Sequence, residues 1–128
     1  MSEQSGFITG VDFVNVYTED INKAEAFYGE TLELPELKRY GKMPGIEYQA
    51  GNLTIAVMQP DAFGQTFSKS SQSIAFQVED VAAAQARLEA KGVKFVADPI
   101  DSGVCHMAFF RDPDGNALML HQRYAPKD

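Results

Sequence analysis

Cysteine is nearly missing from this chain of 128 residues: Cys105 stands alone. That excludes an internal disulfide or a cysteine-based metal cluster and fits a reducing compartment. Basic residues are also few. Eleven Lys and Arg face eighteen Asp and Glu, a formal net charge of −7. This sign repels nucleic-acid phosphates and anionic lipid, and the bases are scattered rather than gathered into a stripe. No apolar run approaches the ~20 residues that a bilayer span requires. The opening MSEQSGFITG lacks the basic start and apolar stretch of a secretion signal. Phosphate-cradling loops of the GxGxxG or GxxxxGK type are missing as well. Together these absences predict a cytoplasmic protein with neither nucleic-acid nor membrane partners.

What is present suits a globular fold. Hydrophobic residues make up 45% and charged residues 23%, ordinary proportions for a packed domain. The length predicts one domain over residues 1–128, able to bury a sizeable core.

The clearest organising signal is an internal repeat. Displaced by 60 positions, FVNVYTED-INKAEAFY from Phe13 lies over SIAFQVED-VAAAQARL from Ser73. Val14 meets Ile74, Val16 meets Phe76, Glu19-Asp20 meets Glu79-Asp80, and Ala24 and Ala26 meet Ala84 and Ala86. Each copy reads as a strand with period two, an acidic cap, and then a helix with period 3.6. Asp20 and Asp80 are the expected caps. The first helix is predicted over 21–31, and the second over 81–91, ending at Gly92.

Hairpins follow both helices. IEYQA-GN-LTIAVM predicts two strands joined at Gly51-Asn52, and VCHMAFF-RDPDGN-ALMLHQ two more joined across Asp112 to Asn116. Repeat one therefore covers about 9–58, a linker 59–72, and repeat two about 73–122. The linker is polar except for Phe63 and Phe67. It is either a connection pinned by two aromatic rings or a flap over a pocket.

This βαβββ repeat resembles the vicinal oxygen chelate superfamily, which includes glyoxalase I, extradiol dioxygenases, fosfomycin-resistance enzymes and bleomycin-binding proteins. The resemblance spans about residues 11–121. Its most specific pieces are SIAFQVEDVAAAQARLEAKGV and AFFRDPDGNALML, the latter close to the family's FxDPDGNxxEL ending. It implies an α+β fold of the glyoxalase/bleomycin-resistance type, in which two βαβββ repeats form a cupped mixed sheet. It also implies a homodimer in which paired halves form the cups.

Members of that superfamily usually hold a divalent metal through His or Gln on the first strand of each half and Glu on the last. At the matching positions this chain offers Phe13, Ser73, Met119 and either Ile55 or Ala56. A divalent ion needs several imidazole or carboxylate donors at once. A phenyl ring, an aliphatic chain, a thioether and one hydroxyl do not supply them, so the expectation is no metal and no cofactor.

Strand parity proposes the lining of the cup: Phe13, Asn15, Tyr17, Ser73, Gln77, Cys105, Met107, Phe109, Met119 and His121. Tyr48 is added to these as a ligand-binding candidate, with Tyr40 and Met43 also near the cup and the facing of all three open. Rings, flexible thioethers and a few hydrogen-bonding groups suit a flat, partly aromatic small molecule. His106 falls on the opposite strand face from His121, which argues against a two-histidine metal site. Asp112 and Asp114 read as turn chemistry.

The leading expectation is thus a metal-independent binder of a small organic ligand. The alternative is a lyase or isomerase using His121 as general base, with Tyr17 or Tyr48 as acid. A third possibility is a structural module whose pocket is filled by its own side chains.

Overall fold

A computed structural model describes residues 6–126. The first five residues of the opening MSEQSGFITG lie outside the described part. The element order is β1 (Val14–Tyr17), α1 (Ile21–Glu25), β2 (Glu36–Arg39), β3 (Gly45–Ala50), β4 (Leu53–Met58), β5 (Ile74–Gln77), α2 (Val81–Glu89), β6 (Ile100–Asp101), β7 (Cys105–Arg111) and β8 (Ala117–Arg123). Two four-stranded mixed sheets result, ordered β1-β4-β3-β2 and β5-β8-β7-β6. The repeat read from the sequence is a repeat of topology. In each half the first strand runs parallel to the last, Val14 beside Ile55 and Ile74 beside Leu118, and its outer edge has no strand partner among the described residues.

The repeat extends to hydrogen bonds that the sequence comparison does not display. Asp20 accepts from the amides of Asn22 and Lys23, and Asp80 accepts from that of Ala83. A second cap comes from the end of the same half. The Gln59 side-chain oxygen accepts from the Ile21 amide at 2.8 Å, and the Gln122 oxygen from the Val81 amide at 3.0 Å. Each glutamine thereby ties a helix start to its own last strand. Gln59→Ala and Gln122→Ala are each expected to cost about 1 kcal/mol, the usual worth of a helix-start hydrogen bond. Urea titration of the two single variants and the double variant checks this; a double variant as stable as the parent would show that solvent replaces both caps.

The first helix departs from its expected form. Past Glu25 the chain widens into a π-helical segment, Ala26–Thr31, with the Leu32 amide donating to the Phe27 carbonyl. The consecutive rings of Phe27 and Tyr28 are both buried there, edge-on at 5.2 Å. An ordinary α-turn separates neighbouring side chains by about 100°; the wider turn accompanies two adjacent rings directed into one core. The second helix ends as expected, with Gly92 in the left-handed region.

One hydrophobic core serves both halves. It joins Ile46, Tyr48, Ile55 and Val57 of the first sheet to Ala108, Phe110, Leu118 and Leu120 of the second, with Ala24, Phe27 and Tyr28 between them. Phe27 and Phe110 bring the two halves together at 6.5 Å. Because side chains alternate along a strand, the other face of each sheet is turned away from this shared core.

The DPDGN turn locks the halves. Asp112, 5% exposed, accepts from the amides of Asp114 and Asn116 and from the Asn116 side chain. It also accepts from the Tyr28 hydroxyl of the other half at 2.6 Å. Asn116 in turn donates to the Tyr17 carbonyl and accepts from the Ser70 amide. Asp112 thus does turn work and adds a buried bridge between the repeats, whereas the Asp114 carboxylate accepts from the exposed Glu19 amide of the first half. Across the surface, Glu33 pairs with Arg87 and Lys91 of the second half, at 2.7 and 2.6 Å.

Candidate functional site

The strand registers place the proposed lining residues in rows. On the second sheet Met107, His121 and Gln77 lie side by side across β7, β8 and β5, and Phe109, Met119 and Ala75 form the next row. Ser73 continues the alternation at the start of β5. Gln122, the neighbour of His121, reaches the start of α2. His121 therefore points away from the helices, and His106, opposite Gln122 in register, shares the helix side. There His106 packs on the Tyr124 ring at 4.8 Å, and Tyr124 donates to Asp101. Cys105 has the parity of the open face but is buried, opposite Arg123 at the end of the sheet.

On the first sheet Phe13 is 45% exposed, and Asn15 and Tyr17 follow on the same face. Asn15 is in register with Ala56, and Ala56 with Glu47. Tyr17 is in register with Met58, and Met58 with Gly45. These registers resolve the choice between Ile55 and Ala56: Ile55 is in the core, and Ala56 has the parity of the outward side, where its neighbours bury it completely.

The expectation that Tyr48 lines the cup is corrected. Tyr48 is 1% exposed and stacks on Tyr28 at 6.2 Å, on the helix side. In GIEYQA the apolar pair Ile46 and Tyr48 claims the core, because burying two large side chains outweighs one hydroxyl left without a hydrogen bond. Burial pushes that phenol up to about 12, aided by the nearby charges of Glu25 and Glu36.

The same alternation turns Glu47 and Gln49 outward. Glu47 is not among the candidates read from the sequence, although the period-two pattern of GIEYQA carries the signal once the core side is known. Its carboxylate accepts from the Tyr40 hydroxyl at 2.7 Å. Burial, then this bond and the carboxylate's charge, push the Tyr40 phenol up to about 12. Tyr40 also meets Phe63 of the linker edge-on, with ring centres 6.4 Å apart. The linker is thus pinned by Phe63 and by Ser70, whose carbonyl accepts from Ala117.

The four positions at which the resemblance puts metal ligands are Phe13, Ala56, Ser73 and Met119. Together they present a ring, a methyl group, a hydroxyl and a thioether, and this set does not fit a divalent cation. Among the described residues no three His, Cys, Asp or Glu side chains are grouped to hold a metal ion. A separate groove of about 1070 Å³ runs along β5 between the Gly51-Asn52 turn and α2. Of its charged groups, Arg87 pairs with Glu33 and Asp80 caps the helix start. Of the proposed lining it holds only Gln77.

Comparison with known proteins agrees with this architecture. Residues 10–120 match the model of the Glyoxalase/Bleomycin resistance protein/Dioxygenase superfamily. The uncharacterized protein YetH of Bacillus subtilis (strain 168) is 26% identical over 119 residues, covering 90% of this chain and 99% of that protein. Among solved structures, a protein from Bacillus anthracis assigned to the glyoxalase family superposes with a TM-score of 0.78 at 23% identity, covering 94% and 99% of the two chains. Lactoylglutathione lyase from Agrobacterium tumefaciens gives 0.74 at 17% identity over 91% and 96%. The Listeria monocytogenes fosfomycin resistance protein FosX, solved as a mutant with Mn(II) and a dihydroxypropylphosphonic acid, gives 0.71 at 24% identity over 90% of each chain. At these identities the structural likenesses speak for the fold.

Proposed function

We propose that this chain, which belongs to the glyoxalase/bleomycin resistance protein/dioxygenase superfamily, is a metal-independent binder of a small, partly aromatic organic molecule, held on the open faces of its two sheets. The observation that carries this reading is the donor set. The positions at which the resemblance puts metal ligands are occupied here by Phe13, Ala56, Ser73 and Met119. What the faces offer instead is apolar contact from Phe13, Met107, Phe109 and Met119, and hydrogen bonding from Asn15, Tyr17, Gln77 and His121. Such a surface gains affinity by burying a flat ring and orienting it through a few polar groups.

The assembly we propose is a homodimer. Both open faces lie outside the core that the two halves share, and β1 and β5 are edge strands. Abutting β1 of one copy and β5 of another brings a first-half face and a second-half face together, encloses their exposed apolar groups and covers two free strand edges. The compartment consistent with the charge and the single thiol is the cytoplasm.

The test is native mass spectrometry of the protein as purified, followed by titration with a panel of aromatic metabolites and hydrophobic antibiotics. A metal-free dimer with saturable binding in the micromolar range, about −8 kcal/mol, is the expected result. A stoichiometric divalent metal, or no saturable ligand across the panel, would overturn the proposal.

A second reading rests on His121. It is half-buried on the open face, with Gln77 and Met107 beside it in register. A histidine so placed can serve as the general base of a lyase or isomerase, with Tyr17 as acid; Tyr48 is withdrawn from that role by its burial. Loss of turnover in His121→Ala, about 100-fold or more, would support catalysis, and unchanged turnover would remove His121 from it.

A further inference from the structure

We propose that the open face of the first sheet carries a subsite for a cationic nitrogen, an amine, amidine or guanidine borne by an aromatic molecule, with the Glu47 carboxylate as its counter-charge. This deepens the binding reading above and rests on it.

Glu47 is half-buried in the middle of β3, directed by strand alternation away from the core residues Ile46 and Tyr48. The ion pairs among the described residues engage Glu25, Glu33 and Glu36. Glu47 is in none of them. Lys38 stands opposite it across β2 and β3, exposed and on the same face, yet the two form no ion pair. Among the described residues the one hydrogen-bond partner of the carboxylate is a neutral hydroxyl, that of Tyr40. An ionised carboxylate has about four acceptor positions, and one phenol fills one of them.

The surroundings are built rather than incidental. A Cβ at Gly45 would lie 2.2 Å from the Tyr40 ring, so the ring rests directly on the glycine backbone, and only that residue lets the phenol reach Glu47 from there. Phe63 buttresses the same ring from the linker. In the adjoining row Tyr17 and Met58 extend the aromatic and polarisable surface toward β1. Between Glu47 and Asn15 lies Ala56, a small residue already covered by its neighbours, so Glu47 and Asn15 flank one closed row.

A carboxylate that meets the Tyr40 phenol and takes part in no ion pair among the described residues attracts a positive nitrogen twice. The charge-assisted hydrogen bond to the carboxylate acts with cation–π contact to the ring faces. A neutral ligand covering Glu47 would strip water from a charge and return at most a neutral hydrogen bond, and an anionic one would be repelled. The net charge of −7 favours the same sign of ligand at longer range. The ligand class thereby narrows from aromatic to cationic aromatic.

The test uses two probes with one ring system, 1-naphthylmethylamine and 1-naphthylmethanol, titrated at pH 7 into the full-length ¹⁵N-labelled protein and followed by amide chemical shifts. The expected result is saturable shifts at residues 15–17, 45–48 and 56–58, with the amine binding about tenfold more tightly than the alcohol. In Glu47→Gln the preference should fall to near unity while the alcohol keeps its affinity within about twofold. The amide spectrum itself reports whether the variant is folded. Glu47→Asp, which withdraws the charge by one methylene, is the second variant and should give an intermediate ratio. Equal affinity for both probes, a preference that survives Glu47→Gln, or shifts confined to the surroundings of Glu25, Glu33 and Glu36 would overturn the cation subsite. None of those three outcomes touches the wider binding reading. Failure of either probe to saturate anywhere on the open faces, combined with failure of the aromatic panel, would overturn both.

Discussion

Asp112→Ala is expected to destabilise the protein by about 3–5 kcal/mol, lowering the melting temperature by about 10–20 °C at this chain length. The carboxylate is 5% exposed and accepts four hydrogen bonds, two from backbone amides and two from the side chains of Tyr28 and Asn116. Alanine leaves those donors without acceptors where water has little access, and removes the only side-chain bond from the second half to Tyr28. A buried donor without a partner costs about 1–3 kcal/mol, and the turn amides can recover part of this by shifting toward solvent. The matched control is Asp114→Ala in the same turn. Asp114 receives one bond, from the exposed Glu19 amide, so its loss should cost no more than about 1 kcal/mol. Urea unfolding of both variants decides the matter. If Asp112→Ala proved no worse than Asp114→Ala, the turn would hold its shape without the buried carboxylate, and the bridge between halves would be unimportant.

Alkaline pH should unfold the protein cooperatively through its buried phenols. Tyrosine in an unfolded chain ionises near pH 10. Burial, reinforced by the charge of Asp112 and the hydrogen bond to it, holds the Tyr28 hydroxyl far above that value. Tyr48 and Tyr40 are each pushed up to about 12. A group whose ionisation is delayed by folding keeps its proton in the native state while the unfolded chain loses it. Its contribution is therefore intact below pH 10 and is withdrawn as the pH rises from 10 upward. For Tyr28 the loss is about 1.4 kcal/mol per pH unit in that range. By pH 12 this one phenol would remove roughly 2–3 kcal/mol, a large share of a typical domain's stability. Absorbance at 295 nm and far-ultraviolet circular dichroism should thus change together above pH 10. Tyr28→Phe should flatten the dependence of stability on pH by close to one proton, although it lowers stability at pH 7 by losing the Asp112 bond. Ionisation of all five tyrosines near pH 10, without loss of helical signal, would contradict the burial on which this rests.

Much of the architecture is legible from residue order because the determinants are local. Asp20 and Asp80 stop one kind of repeat and start another, Gly51-Asn52 permits a two-residue turn, and Gly92 ends a helix. Each of these rests on a side chain's own preference or on a hydrogen bond a few residues away. The same holds for the DPDGN turn, whose bonds to Asp112 from Asp114 and Asn116 span two and four residues. The π-helical widening after Glu25 was not legible, since it accompanies the meeting of Phe27 and Tyr28 with Phe110 and Tyr48 of distant strands.

The open faces divide in the same way. Once β8 is anchored by the family ending, alternation alone puts His121 and Met119 on one side and Leu118 and Leu120 on the other. β3 has no such anchor, and GIEYQA alone does not tell whether Tyr48 or Glu47 takes the open face. Tyr48 stands in the core because Tyr28 waits there to stack on it.

The sequence by itself determined the two-fold repeat, the strands and helix starts, the aspartate caps and the turns, the placement of His121 opposite His106, and the non-ligating residues at the positions that the resemblance assigns to a metal. Those properties are carried by residue identity, by periodicity along one strand or by a motif. Only the tertiary structure decided that the two sheets share one core and turn their open faces outward, and that Ala56 rather than Ile55 stands beside Asn15. It also decided that Glu47 is held by Tyr40 over a glycine. Each of those depends on registers and contacts between segments far apart in the chain, where a shift of one residue exchanges the buried and open faces.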